Sequence, residues 1–336
     1  MYDLLNLNIY FDENYWLDGR KLLTTDIYQS SIFNWYYKYC YKKQKPLNNK
    51  FVKSGPQKLV NNILKAFEKR HDVVFNDDVY NNYYFCTYSL KYKNKIINVL
   101  KEDTKVIVGP LYTADDFLEL VNLTNKYKNL QIVCASNPAK KTMLKIANIV
   151  DQENTICVIP VGVSSEVQIL KNKEGKLQIQ TDCLIYFKNR KKIELDKITD
   201  FLNSKNLSYK LFEYGKYSNS KLIKSAKTSK FGIVLGRTES QGIGINELMS
   251  TNLPLFVVDS TENYFNNEVH EGTSVPYWSE LCGIKIDDID HFEANFPKFL
   301  KHVEGEKYHP WQLIVDKLSY EAMAENLKMT FINISS

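Results

Sequence analysis

Apolar and polar positions follow one another along this chain in blocks whose period changes. Short, wholly apolar runs at residues 73–75, 106–108 and 132–134 are separated by stretches 59–70 and 115–127, where apolar side chains recur every three or four positions. The runs have the length and β-branched content of buried strands, and the stretches between them have the period of amphipathic helices. Residues 155–163 read as a further strand ending in a bend at Pro160 and Gly162, and 171–176, centred on Gly175, as a polar turn. From Cys183 the alternation resumes, with strands at 183–187, 209–214, 231–235 and 255–259, helices at 194–204 and 220–227, and a mainly helical end over 311–331. Strand and helix in alternation predict an α/β fold, with parallel sheets covered by helices on both faces. The chain's 336 residues are too many for one ordinary core. The bend near Pro160 therefore predicts two domains, 1–160 and 161–315, followed by a terminal helix over 316–336.

Composition narrows the function more by exclusion than by assertion. Hydrophobic residues make up 44%, enough for two cores, and the net charge of +5 is too small to imply an electrostatic nucleic-acid binder. Cys40, Cys86, Cys134, Cys157, Cys183 and Cys282 form no Cys-x-x-Cys pair and no cluster with histidine, so neither a disulfide framework nor a metal site is expected. The sequence from Met1 shows no basic and apolar leader, and no apolar run is long enough to span a bilayer, which makes a cytoplasmic location the expectation. Residues 35–53 interleave tyrosines with lysines. They suit a sugar-stacking acceptor surface, a peripheral contact with anionic lipid, or a helix with tyrosines packed inward. Asp287, Asp288 and Asp290 read as a helix-start cluster.

The chemistry concentrates in Glu239-Ser-Gln-Gly242-Ile243-Gly244-Ile-Asn-Glu247, between the strand ending at Leu235 and the strand beginning at Leu255. Glycines between a strand and a helix let a ligand approach the backbone, and the unpaired amides at the helix start favour a phosphate. A dinucleotide-binding loop would place its third glycine at position 247, where this chain has glutamate. One carboxylate precedes the phosphate-binding turn and one follows it by a helical turn. Each is therefore placed to hold hydroxyls on its own side of a phosphate, and a nucleoside diphosphate sugar, with ribose, diphosphate and sugar in a row, has that layout.

On these residues the segment resembles the donor site of retaining glycosyltransferases of the GT-B fold. The resemblance implies two Rossmann-like domains facing each other across a cleft, with the C-terminal helix crossing back to the first. It implies that Glu247 holds the ribose hydroxyls and Glu239 the transferred sugar, and that Gly242, Ile243 and Gly244 present amides to the diphosphate. Lys188 and Arg190, just past the strand at 183–187, would neutralise the leaving diphosphate. Tyr214 and Gly215 belong to the same implied donor site, and Gly55, in Ser54-Gly55-Pro56-Gln57, resembles the glycine loop of the first domain. The implied reaction is sugar transfer to a hydroxyl of a glycan, lipid or small molecule, with retention and with neither metal nor cofactor. An inverting enzyme, or a non-catalytic nucleotide or sugar binder on the same fold, are the alternatives. The chain departs from the family pattern at Val108-Gly109-Pro110, where a histidine-bearing strand end is common, and in its long segment before Gly55.

Overall fold

The structure, a computed structural model, describes residues 5–12, 39–40, 42–47, 55–149, 156–165, 179–265 and 268–334. Much of the tyrosine and lysine segment at 35–53 lies outside these residues, as do Ser54 and the expected turn at 171–176. The chain divides into two compact units, Met1–Gly162 with Tyr320–Ser336, and Val163–Ser319.

The first unit is built on a six-stranded parallel sheet. Its strands are β1 (Leu7–Tyr10), β2 (Val73–Phe75), β3 (Asn82–Thr87), β4 (Lys105–Leu111), β5 (Leu130–Cys134) and β6 (Ile156–Val158), in spatial order β2-β1-β3-β4-β5-β6. Helices α1 (Gly55–Phe67), α2 (Leu90–Val99), α3 (Ala114–Lys126) and α4 (Asn137–Ile146) supply its crossovers. The start of α3 is fixed reciprocally: Thr113 Oγ1 accepts the Asp116 amide, and the Asp116 carboxylate accepts the Thr113 amide. The last helix, α10 (Tyr320–Asn333), belongs to this unit, and Lys105 Nζ donates to the carbonyl of Phe331 at its end.

The second unit carries a five-stranded parallel sheet of β7 (Thr181–Phe187), β8 (Tyr209–Glu213), β9 (Ser229–Leu235), β10 (Leu255–Val258) and β13 (Gly283–Ile286), ordered β13-β10-β9-β7-β8. The chain leaves β7 through α5 (Lys192–Ser204) to β8 on one side, then returns through α6 (Asn219–Ala226) to β9 on the other. The sheet therefore reverses direction of growth between β7 and β9, and beyond the carboxyl ends of those two strands lies the crevice where such sheets bind ligands. Helix α7 (Ile243–Ser250) connects β9 to β10, while a hairpin, β11 (Glu262–Phe265) with β12 (Glu268–Glu271), extends the connection to β13.

Both faces of this sheet are buried, which is why its central strands read as unbroken apolar runs. Leu184, Tyr186, Val234, Leu255 and Val257 pack with Leu222 of α6 and Ile245 and Leu248 of α7. On the opposite face Cys183, Ile185, Phe231, Ile233, Phe256 and Val258 meet α5 and α8 (Phe292–Glu304). Phe256 sits among Phe292, Phe296 and Phe299, with ring centroids 4.7, 6.3 and 5.3 Å away. A short helix α9 (Pro310–Leu313), continued by a wider turn over Ile314–Leu318, closes the first of these faces.

Candidate active site

Lys188 and Glu239 meet across the switch point. Lys188 is the first residue beyond β7, and its amide is held by the Leu235 carbonyl at the end of β9. Glu239 follows β9, its amide held by the Thr273 carbonyl. Lys188 Nζ lies 2.5 Å from Glu239 Oε1, the two side chains being only 17% and 15% exposed. The same ammonium stands 4.4 Å from the ring centre of Tyr214, an exposed residue whose amide bonds to the Phe187 carbonyl. Gly215 turns the chain after it at φ 83°, in the left-handed region that glycine adopts without strain.

Gly242 caps α7 at φ 67°, ψ 34°, also left-handed. A Cβ there would stand 3.2 Å from Pro276 Cδ and 3.9 Å from Glu239 Cβ, so the missing side chain serves both conformation and space. The carbonyl of Gly242 accepts the amides of Ile245 and Asn246, while those of Ile243 and Gly244 are the first two of the helix and have no intrahelical acceptor. Glu247 comes one turn later on the same helix, part-buried, and receives Asn219 Nδ2 on its Oε1 at 3.3 Å. Gly55 opens α1 in the first unit, and a Cβ built there meets no atom within 4 Å.

Arg190 stands apart from the other candidates in how its guanidinium is used. Nε and Nη2 grip the Glu194 carboxylate as a fork, and Nη1 reaches the carbonyls of Gly236 at 3.2 Å, Val258 at 3.2 Å and Asp259 at 2.9 Å. The side chain thus ties the start of α5 to the carboxyl ends of β9 and β10. Burial opposes ionisation of Glu194, but the hydrogen bond and charge of Arg190 prevail and hold its carboxyl below the usual carboxylate range.

Three further groups in this region carry no distinctive sequence pattern. Buried Asp259, at the end of β10, accepts the Ser274 and Ser260 amides and the Thr273 hydroxyl, with Lys285 Nζ 3.2 Å away. Burial alone would raise its pKa, and these donors outweigh it and lower it. Through Thr273 and Ser274 it organises the backbone that holds Glu239. Tyr186 and Tyr217 are the other two. Their rings meet edge to face at 6.2 Å, and Tyr186 Oη lies 3.4 Å from the position a Cβ on Gly244 would occupy. Among the described residues no cluster of histidine, cysteine or carboxylate side chains is arranged to hold a metal ion, and no helix is long and apolar enough to cross a membrane.

No protein-family model matches the sequence, and no curated protein matches it. Several solved glycosyltransferase structures are similar to the chain. The apo form of the lipopolysaccharide outer core galactosyltransferase WaaB aligns over 97% of this chain and 99% of its own, at 10% identity and a TM-score of 0.49. AviGT4, from avilamycin A biosynthesis, aligns over 84% and 90%, at 9% identity and a TM-score of 0.48. A structure of S. aureus TarM with fondaparinux, alpha-GlcNAc-glycerol and UDP aligns over 81% of this chain at 15% identity and a TM-score of 0.43; the chain spans 59% of that protein's length.

Proposed function

We propose that the chain transfers a sugar from a nucleoside diphosphate sugar to a hydroxyl acceptor. The observation that carries this reading is the Lys188–Glu239 pair at the β7/β9 switch point, three residues ahead of the left-handed Gly242 that starts α7, with Glu247 about one turn into that helix. An anion seated against the first α7 amides would gain the helix-end dipole and the Lys188 charge together. Its β-phosphate would be the leaving group, where charge grows as the sugar departs, so Lys188 would act mainly on the transition state. Glu247 would hold the ribose hydroxyls, with Asn219 fixing one of its oxygens, and Glu239 would take hydroxyls of the transferred sugar. Tyr214 and Gly215 would border the same site.

Retention, independence of metal, and a glycan, lipid or small-molecule acceptor complete the proposal. Arg190 would serve as scaffold, since its donors already meet acceptors in the protein. Isothermal calorimetry with UDP, GDP and ADP tests the reading, because a native-state ligand binds and raises the melting temperature together. Binding of one diphosphate that is abolished by Glu247→Ala is the expected result. No heat with any of the three would remove the proposal. Proton NMR of the anomeric signal in the product, run with and without chelator, tests retention and metal independence.

A further inference from the structure

We propose that Asp259 is a positioning residue for the sugar half of the site, its carboxylate fixing a short strut, residues 273–276, that sets where Glu239 stands against the transferred sugar. The inference rests on the functional reading above and adds to it a residue outside the two-glutamate pattern.

Asp259 follows β10 and is 5% exposed. Its backbone is fixed on both sides, the amide donating to the Ile286 carbonyl at 2.7 Å and the carbonyl accepting Arg190 Nη1 at 2.9 Å. The chain then leaves for the hairpin of β11 and β12 and returns at Gly272, whose amide meets the Thr261 carbonyl at 2.8 Å, so the hairpin is closed at its base and the strut begins close to Asp259. Oδ1 accepts the Ser274 amide at 2.6 Å and the Ser260 amide at 2.9 Å, and Oδ2 accepts the Thr273 hydroxyl at 2.9 Å with Lys285 Nζ at 3.2 Å. Thr273 Oγ1 itself accepts the Val275 amide at 3.1 Å, so its hydrogen is left for the carboxylate. Burial opposes the charge on Asp259 and these donors outweigh it, which keeps the group an ion that only accepts.

From this anchor the strut reaches the loop that carries Glu239. The Thr273 carbonyl holds the Glu239 amide at 2.9 Å, and the Ser274 hydroxyl donates to the Gly236 carbonyl at 2.9 Å. Both bonds grip the loop ahead of the glycine turn, where Glu239 stands. Glu247 lies beyond the turn, inside α7, and its carboxylate receives Asn219. Displacing the strut therefore moves the sugar-facing glutamate more than the ribose-facing one. Thr273 alone joins the two carboxylates, its hydroxyl on Asp259 and its carbonyl on the Glu239 backbone, and a contact group must be held to within about 0.5 Å to work. An asparagine at 259 would keep one oxygen for the two amides but set an NH2 against the Thr273 hydroxyl and the Lys285 ammonium, which are donors themselves.

The test is calorimetry on the full chain without acceptor, using UDP, GDP and ADP and their glucose, galactose and N-acetylglucosamine conjugates. Wild type and Asp259→Asn are compared on the diphosphate that wild type binds most tightly and on its best conjugate. In the variant, affinity for the conjugate falls about tenfold and affinity for the free diphosphate by no more than about twofold, because the contact weakened is the one Glu239 makes to the sugar. A purely structural role would loosen the whole crevice and weaken both alike. Ser274→Ala, which removes the hydroxyl joining the strut to Gly236, lowers the same ratio about threefold and carries the test if Asp259→Asn does not fold. In a Glu239→Ala background Asp259→Asn changes the ratio no further, since it acts through that glutamate. An unchanged ratio in a folded variant, or a further fall without Glu239, overturns the Asp259 role while diphosphate binding stands. A wild type that binds a diphosphate but none of its conjugates removes the sugar contact at Glu239, and the Asp259 role with it. Absence of diphosphate binding by wild type overturns the functional reading itself.

Discussion

Replacing Arg190 by alanine should unfold the second unit at a lower temperature before it affects nucleotide affinity. The guanidinium and the Glu194 carboxylate are 14% and 15% exposed. Removing the cation leaves a largely buried carboxylate without its partner, and three carbonyls at the ends of β9 and β10 lose their common donor. Breaking a buried pair in this way costs about 3–5 kcal/mol, and the residual exposure brings the figure to roughly 2–4 kcal/mol. For a unit of about 150 residues each kcal/mol shifts the midpoint by about 2–4 °C, so the expected fall is about 5–15 °C. Arg190→Lys should recover little of it, because an ammonium cannot reproduce the fork and the carbonyl contacts at once. The effect also carries a pH signature. Because the folded Glu194 carboxyl is held below its unfolded value, the pair stabilises fully above that value, about 4.3, and its contribution disappears as pH falls through the depressed folded value. The gap between wild type and Arg190→Ala should therefore narrow below about pH 4. Thermal unfolding by circular dichroism across pH, with calorimetry at a temperature where both proteins are folded, measures all three quantities. A midpoint within about 2 °C of wild type, together with lost diphosphate binding, would refute the scaffold argument and return Arg190 to the phosphate.

Lys188→Ala should lower turnover more than it raises KM, because the leaving diphosphate gains charge in the transition state; steady-state kinetics in donor concentration would show the split, and a change in KM alone would contradict it. Gly242→Ala forces alanine into a left-handed φ of 67° against Pro276. It should cost about 1–2 kcal/mol in denaturant unfolding and also weaken diphosphate binding, and an unchanged midpoint would count against the close fit. Asp182 is lowered to about 2, chiefly by its hydrogen bond to Lys230, with burial opposing and Ser208 assisting. A depressed carboxyl stabilises above its unfolded value and loses that contribution as pH falls, so Asp182→Asn should flatten the stability profile between about pH 4 and pH 2.

The parallel strands of the second unit were legible because both faces of its sheet are buried, which turns β9 and β10 into apolar runs that no exposed helix would carry. Other elements left weaker marks. β1 is four residues long and close to the chain's beginning, and its partners lie far along the sequence, at 73–75 and 82–85. β3 carries Tyr83, Tyr84 and Phe85 in succession, which gives no two-residue alternation even though all three are buried. The hairpin strands β11 and β12 are four residues each, Glu262–Phe265 and Glu268–Glu271, and too short and too mixed in polarity to stand out as apolar runs.

At the candidate site the residue types were legible and the use of each was not. Lys188 and Arg190 are two positions apart on one loop and both read as cations for a phosphate, yet their environments differ entirely. Lys188 leaves β7 toward Glu239 and Tyr214, whereas Arg190 lies beyond Asn189, whose φ of 51° reverses the chain, and turns toward Glu194 and the carbonyls of strands far away in sequence. Only the folded backbone reveals those carbonyls as acceptors. The same limit hid Tyr186 and Tyr217: a tyrosine near a strand end is ordinary core material until the helix start it touches is known. Spacing along the chain thus singled out a glycine turn between two glutamates, and the structure sets that turn at the start of α7, with Glu239 before it and Glu247 within the helix. Which neighbouring donor is committed within the protein depends on three-dimensional hydrogen-bond satisfaction: Arg190 spends its guanidinium on Glu194 and on three strand-end carbonyls, whereas Lys188 meets Glu239 and the ring of Tyr214.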